Sequence, residues 1–488
     1  MAGKSLGAIT AQDEQIRLLT YTAVAAGARG LIFESRTRLD AADIQTKARA
    51  ASLELLNLEL ALIEPWGAAG SYLSSIAGSD PQVTGAILQA ERERVVLPLW
   101  MGTGSQFVPG QSAGNSISFV IPGVPEDHRA YEITPAGVKP LETRRVTGGT
   151  SATLDEFGLT SIILLTQNPV AISELSGRLA RSRERAARLQ RDLAYQKLRN
   201  IEEMERRLAS IAPSPRQGPA WFSAARAGLE KSDLAMGAGE FEAAYLSAQR
   251  AMRPMRLIER AHWDAHSRAL GPPVASPLGT SFATLPEHLQ LVGRIRGGRF
   301  ESSQLPGGDF ERLDSMLSAG WRNLMHPQPG LETQAELTPE AARSGTLGMR
   351  LQVRSTLTSQ SPALVESAPL WISSPALSTV PGAIYRIRAA VRIAAPITGS
   401  NDGLMVVDSL GGEPLAERIR TTRGWQEVTL YRVAAGTAPL AVSFVLTGLG
   451  TVDIDDVRIE PLLPAGAGRL DQVALPNTDD LRRLPVVR

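Results

Sequence analysis

The sequence predicts a multidomain α+β protein, and three observations lead to this prediction. The chain has 488 residues, more than one ordinary hydrophobic core accommodates. Apolar and polar residues alternate over 76–167 and again over 298–463, as they do in antiparallel strands with one buried face. Between these two regions, over 168–268, apolar residues recur at helical spacing. Roughly three or four domains are therefore expected.

The composition shifts suggest where these domains begin and end. A stretch rich in Pro, Gly and Ser follows the helical region and indicates a linker, and the Pro-rich C-terminus indicates a loose tail. The expected order is a helix-strand-helix fragment at 1–75, an antiparallel β domain at 76–167, a helical hairpin or bundle at 168–268, a linker at 269–297, a β-sandwich at 298–463 and a tail at 464–488.

Composition and charge exclude several classes of protein. The chain has no cysteine, which excludes disulfide scaffolds, thiolate nucleophiles and cysteine-ligated zinc but leaves the compartment open. The formal net charge of +1 gives no reason to expect nucleic acid as a partner. No apolar run reaches membrane-spanning length, and Met1–Glu14 shows no signal peptide. The localisation is therefore not predicted.

The first region reads as two helices around a short apolar segment. A helix is expected over 13–27 and a fully apolar strand at Leu31–Phe33. A second helix is expected from about 41 to 63, where the following Pro65 stops it. Helix, buried strand and helix in this order are typical of the closing unit of an α/β fold. The alternative is that residues 1–75 simply pack on the next domain.

The string Tyr21–Ser35, together with Leu55–Leu60 and Glu64–Trp66, resembles the last turn of the (β/α)₈ barrel in β-galactosidase-like glycoside hydrolases. The resemblance implies that the chain is the C-terminal portion of such a protein and that the rest of the barrel belongs to a separate chain or an upstream extension. It also implies that Glu34 and Arg36 lie at the rim of the barrel and contact substrate. The alternative for Glu34 is an ordinary surface or salt-bridged acid.

The middle of the chain matches this arrangement in part. The antiparallel β domain at 76–167 is similar in position to the small β-sandwich that follows the barrel in many glycosidases. The family's acid/base and nucleophile strands would lie upstream of this chain, so the resemblance implies that the catalytic pair is missing. No catalytic residue is predicted, and whether the chain is an enzyme by itself stays open.

The last third predicts a two-sheet sandwich. The segments Gly307–Glu311, Gly320-Trp321 and Val452–Val457 frame a series of short alternating strands separated by Gly and Pro. These entry and exit motifs resemble the jelly-roll carbohydrate-binding modules and their galactose-binding-like relatives. The resemblance implies a polysaccharide or glycan as the partner of this region.

Candidate ligand-binding residues follow from the chemistry of sugars. The C–H face of a pyranose stacks on an aromatic ring, while charged groups hydrogen-bond its hydroxyls. Trp371 and Tyr385 are the aromatic candidates, against an alternative role in the core. The polar candidates are Arg388, Asp402, Asp408 and Arg418. The alternative for these is a solvated sheet face.

The resemblance also implies a structural calcium ion, because such modules often carry one near an entry Glu and a terminal Asp pair. Glu311 matches the first position, and Asp455 or Asp456 the second. Calcium prefers six to eight oxygen ligands. The alternative is that the two aspartates end a strand and pair with Arg458. No other cofactor is predicted.

The sequence thus favours non-catalytic carbohydrate recognition or scaffolding. Two alternatives remain: an active glycosidase with an unrecognised site, and a structural or cell-surface protein whose sandwich binds other proteins. No nucleic-acid partner and no membrane span are expected.

Overall fold

The computed structural model describes residues 11–34, 38–101, 114–209, 215–270, 282–357 and 362–463, with the backbone alone at 267–270. The chain divides into two compact units. The first unit holds the described residues up to His266 and 282–286, and the second unit holds the other described residues. Among the described residues, no helix is long and apolar enough to cross a membrane.

The first unit combines five helices with two antiparallel sheets. Its helices are α1 (Asp13–Ala25), α2 (Ile44–Ala69), α3 (Pro169–Leu208), α4 (Gly218–Gly237) and α5 (Phe241–Leu270). Its strands are β1 (Ser71–Ala77), β2 (Val83–Ala90), β3 (Glu93–Trp100), β4 (Gly114–Ile121), β5 (Arg129–Thr134), β6 (Gly137–Pro140), β7 (Thr143–Val146), β8 (Gly149–Phe157) and β9 (Ile163–Thr166). The larger sheet has the order β1-β2-β3-β9-β5-β6, and the smaller has the order β4-β8-β7.

The larger sheet of the first unit is covered on both faces. Val95 and Leu164 point to one side, where they pack with apolar residues of α1, α2 and α3. Val96 and Ile163 point to the other side, where they pack against the smaller sheet. Burial on both faces explains why β3 and β9 are almost continuously apolar, since each large buried side chain contributes about 1.5–3 kcal/mol.

The predicted strand at Leu31–Phe33 is wrong. Residues 31–34 form no strand, and the side chain of Ile32 is 98% exposed. An isolated apolar segment cannot satisfy its own N–H and C=O groups, so it becomes a strand only when another strand pairs with it. The region is therefore helix-coil-helix, and Ile16 of α1 and Leu56 of α2 pack on the larger sheet.

Helix α2 continues beyond its predicted end. Proline lacks the N–H that would bond the carbonyl four residues earlier, which is why Pro65 was expected to end the helix. The structure instead places Pro65 inside α2, which runs to Ala69. Because Pro65 has no N–H, the Ala61 carbonyl oxygen lacks its helical donor. Arg178 of α3 takes that place and donates from Nη1 to this oxygen at 3.3 Å.

The second unit is a β-sandwich, which confirms the predicted α+β fold class. Its helices are α6 (Leu285–Gly297), whose first two residues belong to the first unit, and α7 (Leu313–Ala319). Its strands are β10 (Arg299–Phe300), β11 (Arg322–Met325), β12 (Leu331–Thr338), β13 (Gly348–Ser355), β14 (Leu370–Ser373), β15 (Ile384–Arg392), β16 (Leu404–Asp408), β17 (Glu417–Ile419), β18 (Gln426–Val433), β19 (Val442–Leu446) and β20 (Gly450–Leu463). Helix α6 lies within the segment expected to be a linker.

Two antiparallel sheets form this sandwich. One has six strands, in the order β12-β13-β20-β15-β18 with β10 paired to β20, and the other has five, in the order β11-β14-β19-β16-β17. Alternate residues of both sheets point inward and build one core, whose large aromatic members are Tyr385 and Phe444 of the strands and Phe310 and Trp321 of the connecting segments. The remaining alternate residues point away from the core, and they form the surfaces on which a ligand can bind.

Candidate functional site

Five side chains form one cross-strand row on the outward face of the five-stranded sheet. The strand register places Leu324 beside Trp371, Trp371 beside Val445, Val445 beside Met405, and Met405 beside Arg418. The sequence neighbours of Trp371, Met405 and Val445 are buried in the core, so these three point outward. Leu324 and Arg418 lie on the same face, because residues paired across neighbouring strands project to the same side of a sheet. We call this set the outer row.

The outer row spans most of the width of its sheet. Trp371 lies on β14 and Arg418 on β17, so three strand spacings separate them, a distance of about 14 Å. The middle of the row is apolar, through Val445 and Met405, and its end at β17 is charged. A ligand along it therefore contacts an aromatic ring, two aliphatic side chains and a guanidinium in that order.

Trp371 differs from the other tryptophans of the second unit in what covers its ring. It is half-buried, and no aromatic or cation–π contact to its ring occurs among the described residues. Trp321 is buried with its edge against Phe310, at 5.0 Å between ring centroids. The ring of Trp425 lies under the guanidinium of Arg392, which is 4.8 Å from the ring centroid. Among the described residues of this unit, Trp371 is thus the tryptophan whose ring makes no aromatic or cation–π contact.

Arg418 and Asp402 form the charged end of the outer row. Nε of Arg418 donates to Oδ1 of Asp402 at 2.9 Å, and its Nη atoms donate to the carbonyl oxygens of Ala416 and Glu413 at 3.3 and 3.2 Å. These bonds hold the guanidinium in one orientation before any ligand arrives. Three of the residues predicted from sequence, Trp371, Asp402 and Arg418, are therefore brought to one face of the sandwich.

Two other predicted ligand residues have structural positions instead. Tyr385 is 2% exposed, its ring lies in the core, and its hydroxyl accepts from the N–H of Val380 at 2.9 Å. Asp408 is 1% exposed and accepts from the N–H groups of Leu410 and Gly411 and from Nε of Arg432. Neither side chain presents a surface to a ligand, so both predictions are corrected. Their strands place them on the inward face or at a closing turn.

Arg388 lies on the outward face of the other, six-stranded sheet. It donates from Nε and Nη2 to the carboxylate of Glu460 at 3.1 and 2.8 Å, and hydrogen bonding to Glu460 raises the pKa of Arg388. Arg388 also lines a cavity of about 360 Å³ that contains Asp456 and Arg458. Arg388 and Arg458 are each paired with a carboxylate, Glu460 and Asp456 respectively.

The residues predicted to bind calcium are engaged by N–H and O–H donors. Glu311 accepts from the N–H groups of Thr346 and Leu347 and from the Thr346 hydroxyl, and the bonds from Thr346 lower its pKa. Asp455 accepts from the N–H groups of Arg343 and Ser344 at 2.7 and 3.0 Å.

This donor set does not fit calcium. The ion requires carboxylate and carbonyl oxygens around it, whereas here backbone N–H groups occupy the lone pairs of the carboxylates. Asp456 accepts from the Ser344 hydroxyl and pairs with Arg458 at 3.2 Å. Within the part of the chain that the structure describes, no group of three or more His, Cys, Asp or Glu side chains is arranged to hold a metal. The carboxylates instead anchor the loop 343–347.

Glu34 is exposed in the irregular segment between α1 and α2, and Arg36 lies outside the described residues. Because Leu31–Phe33 is not a strand, no barrel edge positions Glu34. The sequence reasoning also missed Leu324, Val445 and Met405. One signal was present, since Leu404–Val407 is apolar at every position and therefore places apolar side chains on both faces of a strand.

No protein-family model and no curated protein matches the chain. Similar solved structures include one described as "CBM4 structure and function", with 13% identity, a TM-score of 0.24, and coverage of 32% of this chain and 99% of that chain. A second is TmCBM61 in complex with β-1,4-galactotriose, with 14% identity, a TM-score of 0.22, and coverage of 33% and 98%.

A third similar structure is the CBM22-1 xylan-binding domain of Paenibacillus barcinonensis Xyn10C, with 15% identity, a TM-score of 0.21, and coverage of 34% of this chain and 96% of that chain. Each of these three comparisons covers about a third of this chain. Identities and TM-scores this low do not assign a ligand, so the ligand has to be inferred from the residues of the site.

Proposed function

We propose that the second unit is a non-catalytic carbohydrate-recognition module that binds a glycan along the outer row. The observation that carries this proposal is the strand register that aligns the half-buried Trp371 with Arg418 across four strands. A half-buried indole, an aliphatic floor and a fixed guanidinium–carboxylate pair form a combination suited to sugars. Each part has a counterpart in the chemistry of a pyranose.

The ring of Trp371 stacks on the C–H face of one sugar. Val445 and Met405 contact the apolar edges of the next sugar. Arg418 donates hydrogen bonds to the hydroxyl groups of that sugar, and Asp402 accepts hydrogen bonds from them. The Arg418 guanidinium is already held by Asp402 and two carbonyl groups, so little conformational entropy is lost when the glycan binds. A length of about three strand spacings favours an oligosaccharide over a single sugar.

The outward face of the six-stranded sheet is a weaker candidate. Its arginines are paired with carboxylates of the same face, as Arg392 with Asp453 at 2.7 Å and Arg386 with Glu460 at 2.6 Å. Two of its aromatic rings have a guanidinium over them, with Arg386 3.9 Å from the ring centroid of Phe300 and Arg392 4.8 Å from that of Trp425. A sugar on this face would have to displace these contacts before it could stack.

Native affinity electrophoresis in gels that contain soluble polysaccharides tests the proposal. The wild-type chain should be retarded by at least one polysaccharide, and Trp371→Ala should remove most of that retardation. Truncating the indole removes the apolar surface that the sugar would bury, at about 25 cal/mol per Å². Trp425→Ala is the matched control, because it removes a tryptophan of the same unit whose ring Arg392 covers. Equal retardation of wild type and Trp371→Ala would contradict the proposal.

We further propose that this module serves a glycoside-hydrolase-like protein, as the sequence resemblance of Tyr21–Ser35, Leu55–Leu60 and Glu64–Trp66 implies, although Leu31–Phe33 forms no barrel strand. The chain would then hold a polysaccharide that a barrel elsewhere cleaves. What supports this is the residue pattern alone. The purified chain should bind polysaccharide without releasing reducing sugars, and reducing-end assays over extended incubation measure this. Release of sugars by the chain alone would favour the alternative of an active glycosidase.

A further inference from the structure

A polar cavity of about 200 Å³ lies within the first unit, apart from the outer row. It is lined by residues from six places in the fold: α1, β5, β8, the connection between β8 and β9, α3 and α5. The polar side chains that line it include Asp13, Glu132, Ser161, Gln190, Gln249 and Arg253. Side chains from elements this far apart in sequence meet only because the helices pack on the sheet.

The other arginines of this cavity are already neutralised. Arg17 is bound by Glu59 at 2.7 Å, Arg256 lies 3.3 Å from Glu14, and Arg250 pairs with Glu156 at 2.8 Å. Three of the four arginines of the cavity thus have a carboxylate partner, and Arg253 donates to Oδ1 of Asn115 at 2.7 Å, so the cavity exerts little net attraction on an anion. A strongly charged ligand would have to break one of these pairs or remain unpaired in a partly buried site.

Asp13 and Glu132 are the other two carboxylates of the cavity, and each can accept further hydrogen bonds. Burial raises the pKa of Asp13 and of Glu132, and the neighbouring Glu14 raises that of Asp13 further. A carboxylate accepts up to about four hydrogen bonds. Among the described residues, Glu132 receives a side-chain bond from Ser161 Oγ at 3.1 Å, and Asp13 one from Ser52 Oγ. Gln190 and Gln249 add amide groups, each of which can donate and accept.

We infer that this cavity binds a neutral, polyhydroxylated ring of monosaccharide size. A hydroxyl group can donate to Asp13 or Glu132 and accept from an amide of Gln190 or Gln249, which matches walls that contain both kinds of partner. The volume corresponds to about six or seven water molecules at roughly 30 Å³ each, so the cavity admits a small ligand and not a polymer. This site is independent of the outer row and would be a second one.

Isothermal titration of the full chain with monosaccharides tests the inference. The probes are glucose, galactose and mannose, with glucuronate and glucosamine as charged counterparts. At least one neutral sugar should bind with one-site stoichiometry, and Glu132→Gln should weaken it about tenfold or more, because the amide turns an acceptor into a donor. Glu126→Gln is the matched control, since Glu126 is exposed outside the cavity.

Two further variants separate the possible outcomes. Gln249→Ala should also weaken sugar binding. It serves as the test of the cavity if circular dichroism shows that Glu132→Gln does not fold. Trp371→Ala should leave this binding unchanged, which distinguishes the cavity from the outer row. The inference is overturned if no neutral sugar binds, if a charged sugar binds more tightly, or if folded cavity variants retain wild-type affinity.

Discussion

Arg178 Nη1 lies 3.3 Å from the carbonyl oxygen of Ala61 and donates a hydrogen bond to it. In an uninterrupted helix the N–H of residue 65 would make this bond, but residue 65 is proline. A side chain of α3 thus replaces a backbone donor of α2. This contact fastens the two helices together at the position where the sequence predicts that α2 ends.

Arg178→Ala should lower the free energy of unfolding of the first unit by roughly 0.5–1.5 kcal/mol, because the carbonyl loses a partner. Pro65→Ala restores an N–H at position 65, so the same arginine change should cost less in that background. Urea unfolding of the wild type, both single variants and the double variant gives the interaction energy. An interaction energy of zero would show that Arg178 does not act through this carbonyl.

Arg418→Ala should weaken glycan binding along the outer row about tenfold or more, since a hydrogen bond from a charged donor is worth roughly 1.5–3 kcal/mol. Asp402→Asn should have a smaller effect, because the amide keeps the shape but no longer balances the guanidinium charge. Titration with the oligosaccharide that binds the wild type measures both. Arg420→Ala is the control, an exposed arginine just beyond β17. Unchanged affinity of Arg418→Ala would exclude it from the site.

Calcium should leave the stability of the second unit unchanged, because N–H donors occupy the carboxylates of Glu311 and Asp455. Thermal unfolding in calcium and in a chelator should give the same midpoint. Glu311→Gln should lower that midpoint by a few degrees in both buffers, since the loop 343–347 loses its anchor. A midpoint that calcium raises in the wild type and not in Glu311→Gln would reinstate the predicted metal site.

A buried charge cluster in the first unit predicts opposite pH dependences for two glutamates. Burial raises the pKa of Glu259 to about 7, although Lys197 opposes this. For Glu14 burial acts in the same direction, but Lys197 and Arg256 outweigh it and lower the pKa to about 2. Lys197 Nζ lies 2.8 Å from each of the two carboxylates.

The signs follow from linkage. The contribution of Glu259 is fully present below its ordinary pKa of 4.5 and is lost as the pH rises to about 7. The contribution of Glu14 is present above 4.5 and is lost as the pH falls towards 2. Glu259→Gln should therefore gain stability relative to the wild type as the pH rises from 4.5 to 7. Urea midpoints across this range measure the difference, and a pH-independent difference would contradict the assignment.

The predicted periodicities of the longer elements agree with the structure. In α3, Leu175, Leu179 and Leu198 are buried at helical spacing, and in β15 and β20 the alternating positions form the sandwich core. Such patterns are readable because a side chain's burial depends mainly on the face of its own element. Leu31–Phe33 shows where this fails, since its apolar character predicted a strand that has no partner to pair with.

The candidate site was predictable only in part. Trp371, Asp402 and Arg418 could be chosen by residue type, but so could Tyr385 and Asp408, which the fold buries. Whether a strand residue faces the core or the solvent depends on a single position of register. Likewise, carboxylates such as Glu311 and Asp455 can bind either a metal ion or backbone N–H groups. Only the position of the loop 343–347 shows that they bind N–H groups here.

The sequence by itself determined the class of the protein, the order of helical and strand-rich regions, and the absence of cysteine chemistry, because composition and periodicity are local properties of the chain. Only the tertiary structure decided that Trp371 and Arg418 share one row, that Asp13 and Glu132 line one cavity, and that Arg178 reaches Ala61. These relationships join residues that are distant in sequence. They depend on strand pairing and helix packing, which no local pattern encodes.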